Sequence, residues 1–424
     1  AAHAFASVDP MSAPDPTNLV RLLVNGAEYG GWKSVRISAG IERQARDFDL
    51  EVTDRWPGQT DIPRRIQPGD ACQVYIGADL VLTGYVDATP IKYDGKSVSV
   101  GVKGRSKTAD LVDCCPIPTG EALLPKTTPW PDVIGKDGKA INVIAPPSKS
   151  AAQWRQQKLE VIAAALASAY GVRVISETDT GRAIPEHQVQ VGESVFESID
   201  RMMRMRHVLS SDNERGDLVF IDVGSAGRAG TAIETGVNVL AASTELDYKG
   251  VFSEYIVKGQ RAGTDDSYAS DASEGEGEST DDDSTTPATN VVGESASSTD
   301  ARAKRRRVLV IKQGGQADDG SCKDRADYER AHRAAKALQT SYTLAGWRQA
   351  DGTLWQPNLI VRVRDALIGF NTDMVISEAA WVMDAQGLRT EIRVGPQDGY
   401  VTKAGKLKKS KSQKGGGSEW SDVK

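Results

Sequence analysis

Long hydrophobic runs are missing from this 424-residue chain. None approaches the roughly 20 apolar residues that cross a bilayer as a helix, so the sequence predicts no membrane-spanning segment. Cysteine is scarce. Cys72, Cys114, Cys115 and Cys322 are the only four, too few and too irregularly spaced for a disulfide scaffold, and the Cys114–Cys115 pair reads as two reduced thiols in a loop. Histidine is equally scarce. His3, His187, His207 and His332 lie far apart with no HExxH or CxxC context, which argues against a metal centre. Asp94-Gly95-Lys96-Ser97 imitates the end of a phosphate loop, but Pro90 stands where that loop needs its first glycine, and the segment lies between strands. No G-x-S-x-G elbow occurs, and the 58 acidic residues single out no carboxylate pair. The sequence therefore predicts no catalytic residue, metal ligand or cofactor. A formal net charge of −6 argues against a general nucleic-acid binder. Residues 1–18 lack the basic start and apolar core of a signal peptide; they read as a flexible arm and favour synthesis in the cytoplasm.

What is present is ordinary soluble-protein composition, 39% hydrophobic and 26% charged, with length for about three domains. Basic residues are absent between Arg261 and Arg302. That stretch, 262–301, is dominated by Asp, Glu, Ser, Thr and Gly, and cannot bury enough apolar surface to offset its ordering entropy. Strand-like segments flank it, Val251–Lys258 before and Arg305–Ile311 after, so it reads as an insertion within one domain.

Taken in order, the chain opens with strand signals. Leu19–Val24 ends at Asn25-Gly26, a dipeptide suited to the positive φ angles of a tight hairpin. Trp32–Ile37 follows. In Asp47–Val52, Phe48, Leu50 and Val52 face one way while Asp47, Asp49 and Glu51 face the other. Cys72–Ile76, Leu80–Val86 and Ser97–Val102 complete an expected antiparallel barrel or sandwich. Residues 113–150 are rich in Pro, Gly and Lys and read as an irregular connection. Ala151–Tyr170 carries Trp154, Leu159, Ile162, Leu166 and Tyr170 at helical spacing, closed by Gly171. After a short strand at Val172–Ile175, Ser194 and Glu197 form a capping box for a second helix with Val195, Phe196, Ile199, Met202 and Met203 on its buried face. Its Arg201, Arg204 and Arg206 read as a solvated face. Leu218–Ile221 is the next strand. A helix is expected over Asp324–Tyr342, then strands at Leu359–Val363, Met374–Met383 and Thr390–Val394, with a hairpin turn at Asp384–Gly387.

The predicted fold class is α+β, mainly β: two tube-like antiparallel β-barrel domains with an intervening small α/β domain. The expected boundaries are an arm (1–18), a first barrel (19–112), the connection (113–150), the α/β domain (151–242), a second barrel (243–398) interrupted by the acidic insert 262–301, and a basic tail (399–424). Arg43, Arg46, Arg64 and Arg65 flank the first barrel's strands and are candidates for subunit contacts, since arginine is favoured at interfaces; solvation is the alternative. In the tail, Lys406, Lys408, Lys409 and Lys411 are candidates for docking on a partner, with nucleic-acid binding as the alternative. Trp347 and Trp355 could stack on a ligand, although packing is the commoner use of tryptophan.

Several stretches resemble one family. Asn18–Gly26, Gly31-Trp32 and Arg46–Val52 look like the opening of the Mu-type baseplate hub proteins of contractile phage tails. Gly192–Glu197 and Gly216–Phe220 resemble that family's middle domain, and Arg325–Arg333, Gly346-Trp347 and Leu354–Asn358 its closing segment. The family is related to the T4-type hub and to the N-terminal part of type VI secretion spike proteins. The resemblance implies a virion protein of the tail baseplate, made in the host bacterial cytoplasm. It implies a homotrimer whose six barrels form a pseudo-hexameric ring between the hexameric tail tube and the trimeric central spike, supporting host attachment and DNA ejection. The implied partners are a tail tube or distal tube protein, the central spike, the tape-measure protein and baseplate wedge proteins, with DNA only passing through the lumen. The chain would then not be an enzyme. The alternatives are a tail-associated peptidoglycan hydrolase, or the hub part of a type VI secretion-like spike. The long acidic insert departs from the family pattern.

Overall fold

A computed structural model describes residues 15–53, 66–93, 98–117, 143–144, 152–206, 208–244, 247–262, 291–301, 303–316 and 319–400. The chain is mainly β, as expected, and divides into two compact units. The larger comprises residues 1–243 and 341–394; the smaller comprises 244–340 with 395 onward.

In the larger unit the first β domain holds β1 (Val20–Val24), β2 (Ala27–Tyr29), β3 (Ser34–Gly40), β4 (Asp47–Thr53), β5 (Ala71–Ile76), β6 (Asp79–Ala88), β7 (Ile91–Tyr93) and β8 (Val98–Ser106). Every pairing among them is antiparallel. Asn25 and Gly26 take φ of 50° and 79°, the left-handed pair that matches hairpin turn twist to strand twist. Phe48, Leu50 and Val52 point into the core, as their alternation requires. Glycine is needed where β6 crosses β8: a Cβ on Gly84 would lie 1.8 Å from the Arg105 carbonyl oxygen.

The middle domain follows α1 (Ala109–Asp113). A four-stranded sheet of β13 (Leu209–Asp212), β14 (Leu218–Ile221), β11 (Val174–Ser176) and β9 (Val143–Ile144) accompanies a two-stranded ribbon of β10 (Gln153–Gln157) and β12 (Ile184–Gln188). Helices α2 (Leu159–Ser168) and α3 (Val195–Arg206) supply much of the shared core, including Ile162, Leu166, Ile199 and Met202. The helix expected over Ala151–Tyr170 is therefore shorter. Trp154 sits on β10 opposite His187, and Gln156 takes a φ of 51° that breaks helical winding. The capping box forms as anticipated: Ser194 N–H donates to Glu197 Oε2 at 2.7 Å, and Glu197 N–H donates to Ser194 Oγ at 3.2 Å. Arg204 is exposed, but Arg201 and Arg206 are half-buried and donate to the Gln188 and Ala183 carbonyls.

Next come β15 (Ile233–Glu234) and β16 (Val239–Thr244), then the smaller unit, a three-stranded sheet of β17 (Glu254–Ala262), β18 (Val291–Thr299) and β19 (Val308–Gln316). Strand β18 runs antiparallel to β17 over nine residues, and β19 runs parallel to it. The last part of the acidic run is thus a strand, because Val291–Thr299 finds a partner in β17. Residues 263–290 lie outside the described set. Helix α4 (Asp319–Lys336) covers one face of this sheet, where Tyr255, Val257, Cys322 and Ala326 are buried together. It ends at Lys336, short of the expected end at Tyr342, which lies on the following strand instead.

The chain then returns to the larger unit through β20 (Thr340–Ala345), β21 (Ile360–Asp365), β22 (Phe370–Asp384) and β23 (Gly387–Gly395). The fifteen-residue β22 organises this half. Its first part, Phe370–Val375, pairs with β21; its second, Glu378–Met383, pairs with β3. One hydrogen-bonded sheet, fourteen-stranded among the described residues, therefore runs from β16 through β20, β23 and β22 into β3 and on to β2. Cores lie on both sides of that junction. Trp347, Leu354 and Trp381 complete the first β domain's core, while Trp355 belongs to the second, with Tyr342, Val361, Met374 and Ile376. Both candidate stacking tryptophans are buried, each contributing at most roughly 4–6 kcal/mol of apolar burial.

Candidate assembly surfaces

The loop joining β3 to β4 carries two of the candidate arginines. Arg46 lies against Asp212 at the end of β13. Its Nε stands 3.3 Å from Asp212 Oδ1, its backbone N–H donates to Oδ2 at 2.9 Å, and its Nη1 donates to the Val81 carbonyl at 3.0 Å. Asp212 is almost wholly buried. Burial pushes its carboxyl above the usual carboxylate range, against the pull of the Arg46 charge. Ser211 Oγ donates to the Gly40 carbonyl at 2.7 Å, and Ser210 Oγ to Gln44 Oε1 at 2.8 Å. Arg46 thus fastens the first β domain to the middle domain within one chain. Arg43 is half-exposed; it pairs with Asp47 at 2.9 Å and reaches Glu378 of β22 at 3.5 Å, and Glu378 also receives Arg393 at 3.2 Å. Arg64, Arg65, Lys406, Lys408, Lys409 and Lys411 lie outside the described residues.

The outward positions around Arg43 carry alternating charge. Lys103 meets Asp49 at 2.5 Å, Arg105 bridges Asp87 at 2.7 Å and Asp113 at 2.6 Å, and Arg36 reaches over β22 to Glu391 at 2.9 Å. Hydrogen bonding and charge from Arg105 hold Asp113 below the usual range, while the bond to Asp49 raises Lys103. Such shifts move groups away from neutral-pH proton transfer. Exposed pairs are worth at most about 1 kcal/mol each, so this face offers patterned charge for recognition more than stability.

Two residues that periodicity could not single out hold the domains of this unit together. Arg348 donates from Nη2 to the Thr17 carbonyl at 2.6 Å, from Nη1 to Asp79 Oδ2 at 2.8 Å, and from Nε to Asn18 at 3.3 Å. It ties the second β domain to the first. Asn358, at φ 67°, accepts from Gly224 N–H at 2.7 Å and donates to the Asp222 carbonyl at 3.0 Å, tying it to the middle domain. Both sit in or beside the segments, Gly346-Trp347 and Leu354–Asn358, that carry the sequence resemblance; that was the available signal.

Among the described residues no cluster of three or more His, Cys, Asp or Glu could hold a metal ion, and no helix is long and apolar enough to cross a membrane. His187 is buried beside Trp154, with Nε2 2.9 Å from Ser198 Oγ, and burial lowers its pKa to about 4. His332 Nδ1 stands 2.9 Å from the Gly399 carbonyl. The Cys72 thiol is buried and pushed up to about 12, an inert state.

Comparison with known proteins agrees with this geometry. Residues 19–106 match the family model described as Mu phage baseplate assembly protein GpP-like, N-terminal. Residues 145–222 match baseplate hub protein gp44-like, second domain, and 319–403 match Mu phage baseplate assembly protein GpP, fourth domain. The chain is 30% identical over 390 residues to baseplate hub protein gp44 of Escherichia phage Mu, covering 91% of this chain and 89% of that protein. A 43 kDa tail protein of prophage MuSo2 from Shewanella oneidensis superposes with a TM-score of 0.69 at 27% identity, over 91% of this chain and 99% of that one. A tail protein from Neisseria meningitidis MC58 shares the fold, with a TM-score of 0.66 at 17% identity over 91% and 98% of the two chains.

Proposed function

The chain belongs to the Mu-type family of baseplate hub proteins and is a structural component of a phage tail baseplate; from that premise we propose that three copies close a pseudo-hexameric ring joining the tail tube to the central spike. The observation that supports it is the β22–β3 pairing. It holds two β domains side by side in one continuous sheet, so three chains supply six such domains, and a threefold assembly can face a sixfold tube. That sheet ends at β16 and β2. Strand β16 is largely exposed and uncharged, with Leu240 63% exposed, an edge open to pairing with a neighbouring chain. Arg43 and the charged face around it form the subunit contact in this reading, with Arg64 and Arg65 beside them. Arg46 braces the loop that presents Arg43.

In the same reading the tube or distal tube protein docks above and the spike below, with tape-measure and wedge proteins as further neighbours. The lysines of the tail, Lys406, Lys408, Lys409 and Lys411, dock on one of these, and DNA passes only through the lumen. The chain performs no catalysis, is made in the host bacterial cytoplasm and ends in the virion. Light scattering on the purified full chain tests the core of this. The expected mass is three chains, with a ring of six similar lobes by electron microscopy. A monomer at every concentration, with no capture of tube or spike protein, would overturn it.

A further inference from the structure

The smaller unit carries a basic cluster at the end of its sheet opposite the points where an acidic stretch of sequence is attached. In sequence, residues 263–290 connect Ala262 to Val291, which are paired at one end of the β17–β18 hairpin. They contain nine acidic residues and no basic one. The other end of the same sheet begins at the Glu254–Val308 pair, and the approach to Val308 is Lys304-Arg305-Arg306-Arg307. Lys304, Arg305 and Arg306 are exposed. Arg307 is fixed there: its guanidinium donates to the Tyr248 and Lys249 carbonyls at 2.8 and 2.5 Å and lies 4.7 Å from the Phe252 ring. Arg333 of α4 stands 5.8 Å from the same ring. Phe252 thus holds two guanidiniums together at one end of the unit, an attraction that works through the ring quadrupole. Nearby carboxylates answer only part of this charge: Asp247 lies 3.8 Å from Lys249, and Glu329 lies 2.9 Å from Arg333.

We infer that this basic end, centred on Lys304, Arg305 and Arg306, receives the acidic stretch 263–290 of a second copy of the chain. Charge complementarity names the occupant. The nine-residue β17 separates the two ends by roughly 30 Å, so a head-to-tail contact is direct, whereas a copy's own stretch would have to run back along its sheet. Twenty-eight residues attached at both ends reach up to about 45 Å from their base when extended, enough for a neighbouring copy and for the copy's own basic end, two routes that mixed isotope labels tell apart. A duplex nucleic acid is the less favoured ligand, because the same unit presents nine carboxylates that would repel it. The inference rests on the multi-copy hub reading and adds an electrostatic tether between copies.

Carbodiimide cross-linking of an equal mixture of isotope-labelled and unlabelled full-length chains tests it. The reagent joins lysine amines to carboxylates without a spacer. Peptides linking Lys304 or Lys249 to residues 265–283 are expected with mixed labels, at least tenfold fewer at 500 mM than at 50 mM salt, as charge screening requires. They should vanish when the nine carboxylates are changed to amides, a variant that replaces no residue of the described cores, or when Arg305→Glu and Arg306→Glu are combined. Links only between peptides of one label would place the contact within a copy and overturn the inference. So would binding of a 30-base-pair duplex that requires Arg305 and Arg306 while no mixed-label link forms. A three-chain particle persisting without any such link rejects this contact and leaves the hub reading standing. A chain that never associates rejects both.

Discussion

Replacing Arg46 by Ala removes the cation from a buried carboxylate. Asp212 keeps only 1% of its side chain exposed and Arg46 13%, so water cannot take the lost partner's place. Breaking a buried pair in this way costs about 3–5 kcal/mol. In a chain of several domains a single global unfolding energy is poorly defined, so local hydrogen exchange is the proper readout. Amides in peptides covering 40–50 and 208–222 should lose protection by a factor on the order of 10²–10³, while α4 in the smaller unit stays unchanged. The deficit should also depend on pH. Burial already raises the Asp212 carboxyl, and without Arg46 it rises further. For an acid whose folded pKa lies above its unfolded value near 4, the folded state takes up the proton more readily, so stability falls as pH rises through that window. The Arg46→Ala deficit is therefore larger at pH 8 than at pH 5. Arg46→Lys should fall between, because it keeps the charge but loses the fork that also reaches Val81. Combining Arg46→Met with Asp212→Leu should cost less than Arg46→Ala alone. Protection within threefold of wild type in Arg46→Ala, or strict additivity in the double variant, would refute the assignment of Arg46 as the fastener between these domains.

Other perturbations separate the remaining contacts. His187, with its pKa lowered to about 4 by burial, supports the middle domain above its ordinary value near 6.5. That support is lost as pH falls toward 4, an effect on the order of 1–3 kcal/mol and opposite in sign to that of Asp212. Trp154 fluorescence should report it, and His187→Gln should flatten the profile. Arg348→Ala leaves the Thr17 and Ile76 carbonyls and Asp79 without their donor; a loss of about 2–4 kcal/mol should appear as exchange in residues 16–24 and 346–356 together. Ser194→Ala removes one arm of the capping box and should cost about 1 kcal/mol, read as faster exchange in the first turn of α3. Gly84→Ala drives a Cβ into the Arg105 carbonyl; a cost above about 3 kcal/mol is expected, seen as loss of soluble folded protein.

Local chemistry made much of the molecule legible. Asn25-Gly26 set a hairpin, Phe48-Asp49-Leu50 set a two-faced strand, and Ser194 with Glu197 set a helix start, because each depends on residues within a few positions of one another. The misreadings share one cause. Trp154 and Tyr342 fall at helical spacing from true helix residues, yet both lie on strands, where distant partners such as His187 decide the backbone. Val291–Thr299 reads as the end of an acidic loop until β17 lies alongside it. Asp212, Arg348 and Asn358 carry no periodic signal at all, since their value comes from carbonyls and charges brought close by folding. The family was recognisable from the order of short motifs. The joining of two β domains through β22 and β3 was not, because a strand's sequence specifies its two faces while the neighbour at its edge is chosen by backbone hydrogen bonds, which every residue but proline offers alike.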